Sequence, residues 1–335
     1  MTLLDPDRPD GVRLTEAEVR ALSTRALMRL GFTEEEARIT SDQLVDNELC
    51  GYCFAGPARI LSVAEDKKTF LPRTPPKVVR ETPSSALIDG GNTIGYVAAY
   101  RGTQVAIEKA KASGISMVGV YNSWYSGRNA YYAEQIVKAG LVAIHLCSAS
   151  PHVLPPGGRT PVLGTNPFCI GFPSANGPVV YDIGTASLMW GDVVLHSRLG
   201  WDLPEGIGFD ADGNPTRDAM KVVQGGGVTP WGGHKGYGLS FSIQALGLLA
   251  GAALGHGRVA DYGFLFIAID PGMTQEQGVF QAQMAELVEH IKATPRQPGV
   301  DEIRIPSERS FRERARRRVE GVVMDRKVVD ALSAL

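Results

Sequence analysis

Pro230-Trp-Gly-Gly-His-Lys-Gly-Tyr-Gly238 packs glycines around one lysine, directly before an apolar stretch of the chain. Glycine leaves backbone amides open, lysine supplies a point charge, and the N-terminus of a following helix adds a partial positive potential. The stretch therefore predicts a site for the phosphates of a cofactor, with a plain tight turn as the alternative. It is not a P-loop, because no Ser or Thr follows Lys235, and the chain has no G-x-G-x-x-G run.

Other blocks rich in glycine and proline precede this one at short spacings. They are Pro155-Pro-Gly-Gly158, Gly164-Thr-Asn-Pro167, Asp182-Ile-Gly-Thr-Ala-Ser187, and Pro204-Glu-Gly206 with Asp210-Ala-Asp-Gly-Asn-Pro215. The ordered set resembles the type-2 malate/L-lactate dehydrogenase family, whose members include sulfolactate dehydrogenases and the Δ1-piperideine-2-carboxylate/Δ1-pyrroline-2-carboxylate reductases. The resemblance runs from about Leu14 to Val323. It implies a nicotinamide-dependent oxidoreductase with a non-Rossmann, dinucleotide-binding α/β fold, working as a homodimer with active sites near the subunit interface.

Composition and charge bound the class of protein. A length of 335 residues with 44% hydrophobic residues provides for two domains and a large core. The net charge of -2 gives no reason to expect a nucleic acid or an anionic membrane as partner. Asp5, Asp7 and Asp10 stand where a signal peptide has a basic start, which predicts a cytoplasmic protein. Cys50 and Cys53 form a C-x-x-C pair with no second pair at zinc spacing, so no metal site is expected.

Local patterns predict an α/β protein that opens with two helices. Capping boxes at Leu14-Thr-Glu-Ala-Glu18 and Thr33-Glu-Glu-Glu36 start these helices, which end near Gly31 and Gly51. The predicted strands are 86–89, 115–120, 141–147 and 263–270, and the predicted later helices are 98–112, 130–139, a helix after Gly238, 275–293 and 310–319. The chain between Cys147 and Gly238 is predicted to be mostly loops.

The resemblance also implies a domain organisation, in which the two ends of the chain pack together. Residues 1–75 form the N-terminal helical part of the substrate domain. Residues 76–300 form a central α/β cofactor-binding region, and residues 301–335 form a C-terminal segment that returns to the helical domain.

One family pattern, Gly-x-x-Ser-His-Gly-x-x-Arg, stands here as Gly51-Tyr-Cys-Phe-Ala-Gly-Pro-Ala-Arg59. The serine and the histidine are replaced by Phe and Ala, whereas the arginine is retained. Because a guanidinium holds a planar carboxylate with two parallel hydrogen bonds, Arg59 is the candidate anchor of the substrate. An ion pair with Glu48 or Glu65 is the alternative role of this arginine.

A second family pattern, Asn-Ser-x-His-Phe-Gly, stands here as Asn122-Ser-Trp-Tyr-Ser-Gly127, with Tyr125 in place of histidine. Asp192 stands where many hydroxyacid-oxidising relatives have lysine and where the cyclic-imine reductases have Asp. A carboxyl group buried near a substrate has a raised pKa and acts as an acid, so Asp192 is the candidate proton donor. Tyr125 and His152 are further candidate donors, and the resemblance assigns Thr165 to the substrate. The alternatives are ordinary packing for the aromatic residues, capping or ion pairing for Asp192, and a structural role for His152.

The resemblance implies that four segments hold the cofactor. Their candidate residues are Asn122, Ser123, Trp124, Tyr125 and Ser126; Asp182, Ile183 and Gly184; His234 and Lys235; and Arg304, Ser307, Glu308 and Arg309. Ser307 stands where the family has Gly. Arg304 and Arg309 can pair with a 2′-phosphate, which favours NADPH over NADH.

The missing histidines favour reduction of a C=N bond. A carbonyl oxygen must gain a proton as hydride arrives, whereas an imine nitrogen is basic enough to be protonated beforehand near neutral pH. The sequence thus predicts an NAD(P)H-dependent reductase of a small, cyclic 2-imino acid. One alternative is a 2-oxo acid or 2-hydroxy acid dehydrogenase that uses Tyr125 or His152 as donor. The other is a cofactor-binding family member with lost or altered catalysis in a biosynthetic pathway.

Overall fold

A computed structural model describes residues 10–254 and 262–335 of the chain. By their internal contacts they fall into two compact units. Unit 1 comprises the described residues of Met1–Pro72, Gly171–Tyr181 and Pro271–Leu335, and unit 2 those of Arg73–Ile170 and Asp182–Asp270. The segment 271–300, assigned from sequence to the central region, thus lies in unit 1. The sequence-based argument on Asp5 and Asp7 concerns residues outside the described ranges.

The helices and strands alternate along most of the chain. In chain order they are β1 (Gly11–Leu14), α1 (Glu16–Arg29), α2 (Glu34–Leu49), α3 (Arg59–Glu65), β2 (Lys77–Glu81), β3 (Ser85–Asp89), α4 (Gly95–Ser113), β4 (Ile115–Tyr121), α5 (Ala130–Lys138), β5 (Val142–Ser148), β6 (Phe168–Phe172), β7 (Val179–Ile183), α6 (Trp190–Leu199), β8 (Gly208–Phe209), α7 (Ala219–Val223), β9 (Gly227–Val228), α8 (His234–Leu249), β10 (Gly263–Ile269), α9 (Val279–Lys292), α10 (Glu308–Glu320), β11 (Val322–Asp325) and α11 (Arg326–Ala334).

Unit 1 is built mainly from helices of both chain ends. The hydroxyls of Thr15 and Thr33 cap α1 and α2, and Glu18 and Glu36 return to the capping residues, which confirms both predicted capping boxes. β1 pairs with β11 in antiparallel register, so the two ends of the chain meet in one ribbon. β11, which follows α10, therefore lies beside the strand that precedes α1.

A seven-stranded mixed sheet is the framework of the site. Its strand order is β2-β3-β4-β10-β5-β6-β7. β3 pairs with β4 in parallel, and β10 lies antiparallel to both β4 and β5. β3, β4 and β5 therefore run in the same direction, and their carboxyl ends lie at one edge of the sheet.

Helices cover both faces of this sheet, as the alternation of side chains on β10 shows. On one face, Phe266 lies so close to α4 that a Cβ at Gly102 would be 2.9 Å from its ring. On the other face, Leu265 packs in a core cluster with Ile243 of α8. Successive residues of a strand point to opposite faces, so α4 and α8 enclose the sheet between them. The predicted α/β class is confirmed.

The stretch between Cys147 and Gly238 departs from the sequence-based prediction of loops. It contains β6, β7, α6, β8, α7 and β9, none of which was predicted, and β1, α3, β2, β11 and α11 were missed elsewhere. β8 and β9 have two residues each, and α6 begins without a side-chain cap, so these elements carry weak local signals. The helix predicted after Gly238 begins instead at His234 and includes three glycines.

The four cysteines, Cys50, Cys53, Cys147 and Cys169, are free thiols. Burial raises the pKa of the Cys147 thiol to about 12. Burial, followed by the neighbouring charge of Glu48, also raises the pKa of the Cys53 thiol to about 12. Both thiols therefore stay protonated at neutral pH.

Within residues 10–254 and 262–335, no group of three or more metal-binding side chains occurs. Over the same ranges, no helix combines the length and apolar character needed to cross a membrane.

His145 is a fully buried ionisable residue on β5. Its Nδ1 donates to the carbonyl of Leu265 over 3.0 Å, because a carbonyl only accepts, and its ring stacks on Phe266 at 4.0 Å. The Nε2 atom is buried and has no partner among the described residues. Burial lowers the pKa of His145 to about 3, against the weaker opposing effect of the Leu265 bond, so the folded protein keeps this ring neutral.

Acid should therefore destabilise the protein through His145. In the unfolded chain a histidine binds a proton below about pH 6.5, whereas the folded state resists it down to about pH 3. The contribution of neutral His145 to the free energy of unfolding is thus fully present above about pH 6.5 and is lost as pH falls towards about 3. We expect the loss of unfolding free energy between pH 7 and pH 5, measured by urea denaturation, to be about 2 kcal/mol smaller in His145→Phe. The matched change at the exposed His290, His290→Gln, should leave the loss as in the parent protein.

Candidate active site

The carboxyl ends of the three parallel strands carry the segments that hold most of the candidate residues in unit 2. β3 ends at Asp89, β4 at Tyr121 and β5 at Ser148. Segments outside the carboxyl ends of parallel strands are the usual ligand-binding region of open α/β sheets. The Asn122–Gly127 loop follows β4 directly, and Asp89 binds it, because the Nδ2 of Asn122 donates to the carboxylate over 2.7 Å.

The Asn122–Gly127 loop has a strained backbone. Asn122 and Tyr125 have φ values of 53° and 62°, in the left-handed region that bulky residues avoid. The N–H of Gly95 donates to the carbonyl of Trp124 over 2.7 Å, and a Cβ at Gly95 would lie 1.9 Å from the carbonyl oxygen of Tyr125. The absence of a side chain at Gly95 therefore lets the loop lie against the start of α4. Strain of this kind is typical of functional sites.

Two side chains of this loop are committed to internal contacts. The Ser123 hydroxyl is fully buried and donates to the carbonyl of Thr93, and the indole of Trp124 is buried and donates to the carbonyl of Asn92 over 3.1 Å. Trp124 thus takes the packing role that sequence analysis left open. Tyr125 stays partly exposed, as do Asn122 and Ser126.

Thr185 brings three loops together. Its N–H and hydroxyl donate to the carbonyl of Thr165 over 2.9 and 3.1 Å, and the hydroxyl also lies 3.1 Å from the carbonyl of Asn166. Its own carbonyl accepts from the N–H of Trp231 over 3.0 Å. The candidate residues Thr165, Gly184 and His234 are therefore on segments joined through one buried threonine.

Asn166 is a second buried connection that sequence analysis did not single out. It has a φ of 33°, and its Nδ2 donates to the carbonyl of Ser240 and to Gln244 on α8, over 3.0 and 3.1 Å. Its Oδ1 accepts from the N–H of Ala149 over 3.2 Å. The signal for it lay in the Gly164-Thr-Asn-Pro167 block, where a polar residue between glycine and proline is suited to the left-handed region.

His152 and Asp192 both lie at the start of α6. The ring of His152 stacks on that of Trp190 at 3.9 Å and an interplanar angle of 4°. Asp192 is in the first turn of α6, half-buried beside the fully buried Val193. Burial raises the pKa of the Asp192 carboxyl, and the nearby His196 only partly offsets this. Asp192 therefore holds its proton to higher pH than an exposed aspartate.

The start of α8 is open to solvent. Gly232 and Gly233 have φ values of 60° and 61°, and a Cβ at either would meet nothing within 4 Å. Lys235 and His234 are exposed in the first turn, and α8 has no side-chain cap. Within the described ranges, Lys235 has no carboxylate partner. A helix N-terminus, an open glycine backbone and an exposed lysine form an anion-binding arrangement.

A cavity of about 380 Å³ borders this helix start. Its walls come from the Leu154–Arg159 loop, from the Phe209 and Gly213 turn, and from the segment that leads into α8. The Pro155–Gly158 part forms a turn in which the N–H of Gly158 donates to the carbonyl of Pro155 over 2.9 Å. Arg159, which sequence analysis did not name, lines the cavity and has no carboxylate partner in the part of the chain that the structure describes.

Asp182 and Ile183 end β7, and Gly184 follows them. The carboxylate of Asp182 accepts from the N–H of Ala130 over 2.7 Å, so it caps α5 from 52 residues away. A Cβ at Gly184 would lie 2.4 Å from the sulfur of Met189. The side chain of Asp182 thus has a structural partner inside unit 2 that its place in the sequence did not reveal.

In unit 1, Arg59 opens α3 directly after a short helical turn, Cys53–Ala55. Asn47 holds this turn by donating to the carbonyl of Ala55 over 2.9 Å. Glu48, one of the two acids considered as partner of Arg59, lies 3.7 Å from Arg317 instead. Burial raises the pKa of Glu48, and Arg317 opposes this.

The second candidate segment of unit 1 leads into α10. Arg304 lies 3.6 Å from Glu302, and the guanidinium of Arg309 lies 5.4 Å above the ring of Tyr52. Glu308 is engaged by Lys292, by Arg312 and by the N–H of Ile305. Burial alone would raise the pKa of Glu308, but these bonds lower it to about 2. Its carboxylate is therefore occupied by protein groups.

Ser307 has a φ of 63°, which gives a physical reason for the glycine that stands there in the family pattern. A left-handed conformation costs a residue with a Cβ about 1–2 kcal/mol. Glycine avoids this cost, but it loses more conformational entropy on folding, which offsets about 0.5–1 kcal/mol of the gain. We expect Ser307→Gly to raise the free energy of unfolding by about 0.5–1 kcal/mol in denaturant titrations. Ser242→Gly, on an exposed position within α8, should lower it by a similar amount. If Ser307→Gly lowered the free energy of unfolding, the backbone at Ser307 would not be strained.

Comparison with known proteins gives one consistent result. The family model described as malate/L-lactate dehydrogenase matches residues 14–333. The chain is 36% identical to malate/(S)-sulfolactate dehydrogenase of Methanothermus fervidus, over 96% of each chain. It is 30% identical to the Delta(1)-pyrroline-2-carboxylate/Delta(1)-piperideine-2-carboxylate reductase of Pseudomonas putida, over 98% of each chain. The solved malate dehydrogenase of Pyrococcus horikoshii superimposes with a TM-score of 0.85 at 28% identity, covering 97% of this chain and 95% of the other. These findings confirm the resemblance, and the chain belongs to the malate/L-lactate dehydrogenase family of oxidoreductases.

Proposed function

We propose that the chain is an NAD(P)H-dependent reductase that converts a small, cyclic 2-imino acid to the amino acid. The observation that carries this proposal is the half-buried Asp192 of unit 2, whose carboxyl has a raised pKa, in a chain whose two family histidine positions hold Ala55 and Tyr125. An iminium arrives with its proton already in place, so it needs a hydride and a carboxylate clamp more than a strong acid. The cofactor supplies the hydride.

The role proposed for Asp192 is electrostatic as well as acidic. As a carboxylate it stabilises the positive charge of an iminium, and as a carboxylic acid it donates a further proton to the neutral amine that hydride addition leaves, which gives the ammonium product. His152, stacked on Trp190 at the start of the same helix, is the reserve donor. In unit 1, Arg59 is the residue proposed to bind a substrate carboxylate. In unit 2, Thr165 is a proposed substrate contact.

The residues present suit a dinucleotide. The exposed first turn of α8, with His234 and Lys235, offers open amides and a cation to a pyrophosphate. The strained Asn122–Ser126 loop and the Asp182–Gly184 segment are proposed to face the nicotinamide half. Arg304 and Arg309 are proposed to pair with a 2′-phosphate, which favours NADPH over NADH. The carboxylate of Glu308 is proposed to orient this segment rather than the ligand, because protein groups already occupy it.

An apolar face on α8 supports the proposed homodimer. Phe241, Leu248 and Leu249 expose 61%, 41% and 59% of their surface. They recur at a spacing of seven and eight residues along one helix, so they lie on one side of it. Exposed apolar clusters of this kind mark protein interfaces.

A second candidate is a 2-oxo acid or 2-hydroxy acid dehydrogenase. The observation that favours it is the presence in unit 2 of two partly exposed aromatic residues that can donate a hydrogen bond, His152 and Tyr125. The relatives of the chain also include proteins named malate dehydrogenase and malate/(S)-sulfolactate dehydrogenase. A family member that binds cofactor without turnover is the third candidate, because neither family histidine is present.

A substrate panel separates the three candidates. The oxidation of NADPH and of NADH is followed by absorbance with pyrroline-2-carboxylate, piperideine-2-carboxylate, pyruvate and oxaloacetate. Consumption with the imines alone supports the proposal. Consumption with the oxo acids alone would replace it by the dehydrogenase, and tight cofactor binding without any consumption would replace it by the non-catalytic reading.

The pH dependence gives a sharper prediction. If the substrate is a protonated iminium, kcat/KM falls as pH rises through the pKa of the imine itself, and Asp192→Asn slows turnover without abolishing it. The exposed Asp212 provides the matched control, Asp212→Asn, which should behave as the parent protein. A rate loss of about 10²-fold or more in Tyr125→Phe or His152→Gln would instead indicate that the protein supplies the proton to a carbonyl.

Lys235→Ala should weaken cofactor binding. Loss of a charge-assisted phosphate contact costs about 1.5–3 kcal/mol, which corresponds to roughly 10- to 100-fold in affinity. Titration of protein fluorescence with NADPH measures the effect, and Lys221→Ala, at an exposed lysine of α7, is the control. Unchanged affinity in a folded Lys235→Ala protein would show that the phosphates bind elsewhere.

A further inference from the structure

Asp182 connects two segments of unit 2 that are distant in sequence. It stands on β7, one residue before that strand ends, and its Oδ2 accepts from the N–H of Ala130, the first residue of α5, over 2.7 Å. The N-cap residue of α5, Asn129, gives no side-chain capping bond. The first amides of a helix lack intrahelical partners, and a carboxylate there is favoured by the helix dipole. Asp182 thus supplies from β7 the cap that the local sequence of α5 does not provide.

α5 begins directly after the strained loop that contains Asn122 and Tyr125. The first half of that loop is fixed by the bond from Asn122 to Asp89 and by the bond from Gly95 to Trp124. The end of the loop is fixed at Ala130 by Asp182. Without this contact the end of the loop is held by neutral bonds, from the Tyr132 hydroxyl to the carbonyl of Ser126 and from the Asn129 amide to the carbonyl of Pro167. These are weaker than a bond to a carboxylate, so a backbone that holds two left-handed residues can relax toward less strained conformations.

Asp182 also lies three residues before Thr185 in the chain, so it is linked covalently to the loop that contains this threonine. That threonine is bonded to the carbonyl of Thr165 and, through its own carbonyl, to Trp231, which precedes α8. One carboxylate therefore joins the loop of Tyr125 to the segments of Thr165 and of the α8 start.

The charged and titratable groups around Asp182 come from α5, from the residues before it and from β6. Arg128 lies 3.0 Å from Glu134, and both act on Asp182, the first favouring and the second opposing its charge. The Cys169 thiol on β6 is coupled to the same carboxylate. Burial raises the pKa of Asp182 to about 6, against the lowering effect of the Ala130 bond and of Arg128. The carboxylate therefore takes up a proton just below neutral pH.

We propose that Asp182 is a positioning residue, whose carboxylate holds the Asn122–Asn129 loop in its cofactor-binding conformation and whose protonation releases that loop. This inference rests on the proposed function in one respect, because the loop is taken to contact the cofactor. A carboxylic acid is a weaker acceptor than a carboxylate and has no charge to interact with the helix dipole. The protein then binds its nicotinamide cofactor less tightly in acid.

The first test needs no cofactor. Hydrogen–deuterium exchange of the free protein is measured by mass spectrometry over residues 122–135, with correction for the intrinsic effect of pH. We expect this region to exchange faster at pH 5.5 than at pH 7.5 in the parent protein, and faster at both pH values in Asp182→Ala. In Asp182→Asn, which keeps an acceptor oxygen but no charge, the exchange should be intermediate and should lose its pH dependence. Equal exchange in all three proteins would overturn the proposal.

The second test measures affinity. Dissociation constants of NADH are determined by fluorescence from pH 5 to pH 8, and NADH is used because it lacks the 2′-phosphate, which itself titrates near pH 6. Affinity of the parent protein should fall about 5- to 10-fold as pH drops through about 6, the pKa of Asp182. Asp182→Asn should bind weakly without this dependence, whereas the control Asp212→Asn should follow the parent protein. An unchanged pH profile in Asp182→Asn would contradict the role, whatever its effect on thermal stability.

The two tests separate this inference from the proposed function. If the protein binds neither NADH nor NADPH at any pH, the proposed function fails, and the exchange experiment still decides whether Asp182 holds the loop. If the cofactor binds but exchange and affinity do not respond to Asp182→Asn, the proposed function stands and the positioning role is wrong.

Discussion

Thr185 holds three irregular segments of unit 2 together, and the arrangement of the candidate residues there depends on it. Its N–H and hydroxyl donate to the carbonyl of Thr165, and its carbonyl accepts from Trp231. These segments lie outside helices and strands, so their buried backbone groups have no regular partners, and an unpaired buried group is costly. Asn166 meets the same need by bonding Ala149 and the carbonyl of Ser240. Buried polar side chains here replace the hydrogen bonds that secondary structure supplies elsewhere.

Close approach of backbones is the second constraint on this region. The loop of Tyr125 lies against α4 only because Gly95 has no side chain, and Gly236 is similarly placed, with a Cβ that would lie 1.9 Å from the carbonyl of Trp231. A methyl group at either position would displace the loop by more than its hydrogen bonds allow. The glycines read from the sequence as phosphate-binding features thus have two separate roles. Gly232 and Gly233 leave space open to solvent, whereas Gly236 permits contact inside the protein, as Gly95 does outside that stretch.

Local signals explain which parts of the molecule the sequence could predict. The capping boxes at Thr15 and Thr33 involve residues three apart, and both are present in the structure. The contacts that were missed join residues far apart in the chain, such as Asp182 with Ala130, or lie in elements with weak signals, such as α6. A glycine pattern shows that a backbone is unusual, but it does not show which distant carbonyl or carboxylate meets it. For this reason the sequence identified the segments of the candidate site better than the roles of their side chains.

The geometry around Tyr125 separates the scaffold of the site from its proton chemistry. The left-handed backbone at this position is imposed by the contact with Gly95 and by the bond from Gly95 to Trp124, neither of which involves the side chain of residue 125. A histidine or a tyrosine can therefore stand on the same backbone. An unperturbed histidine titrates near pH 6.5 and an unperturbed tyrosine near pH 10, so the exchange removes a donor that is protonated and easily deprotonated near neutral pH. A substrate that brings its own proton tolerates that loss, whereas a carbonyl substrate needs another donor in its place, so one scaffold serves both chemistries of the relatives through the side chains that it carries.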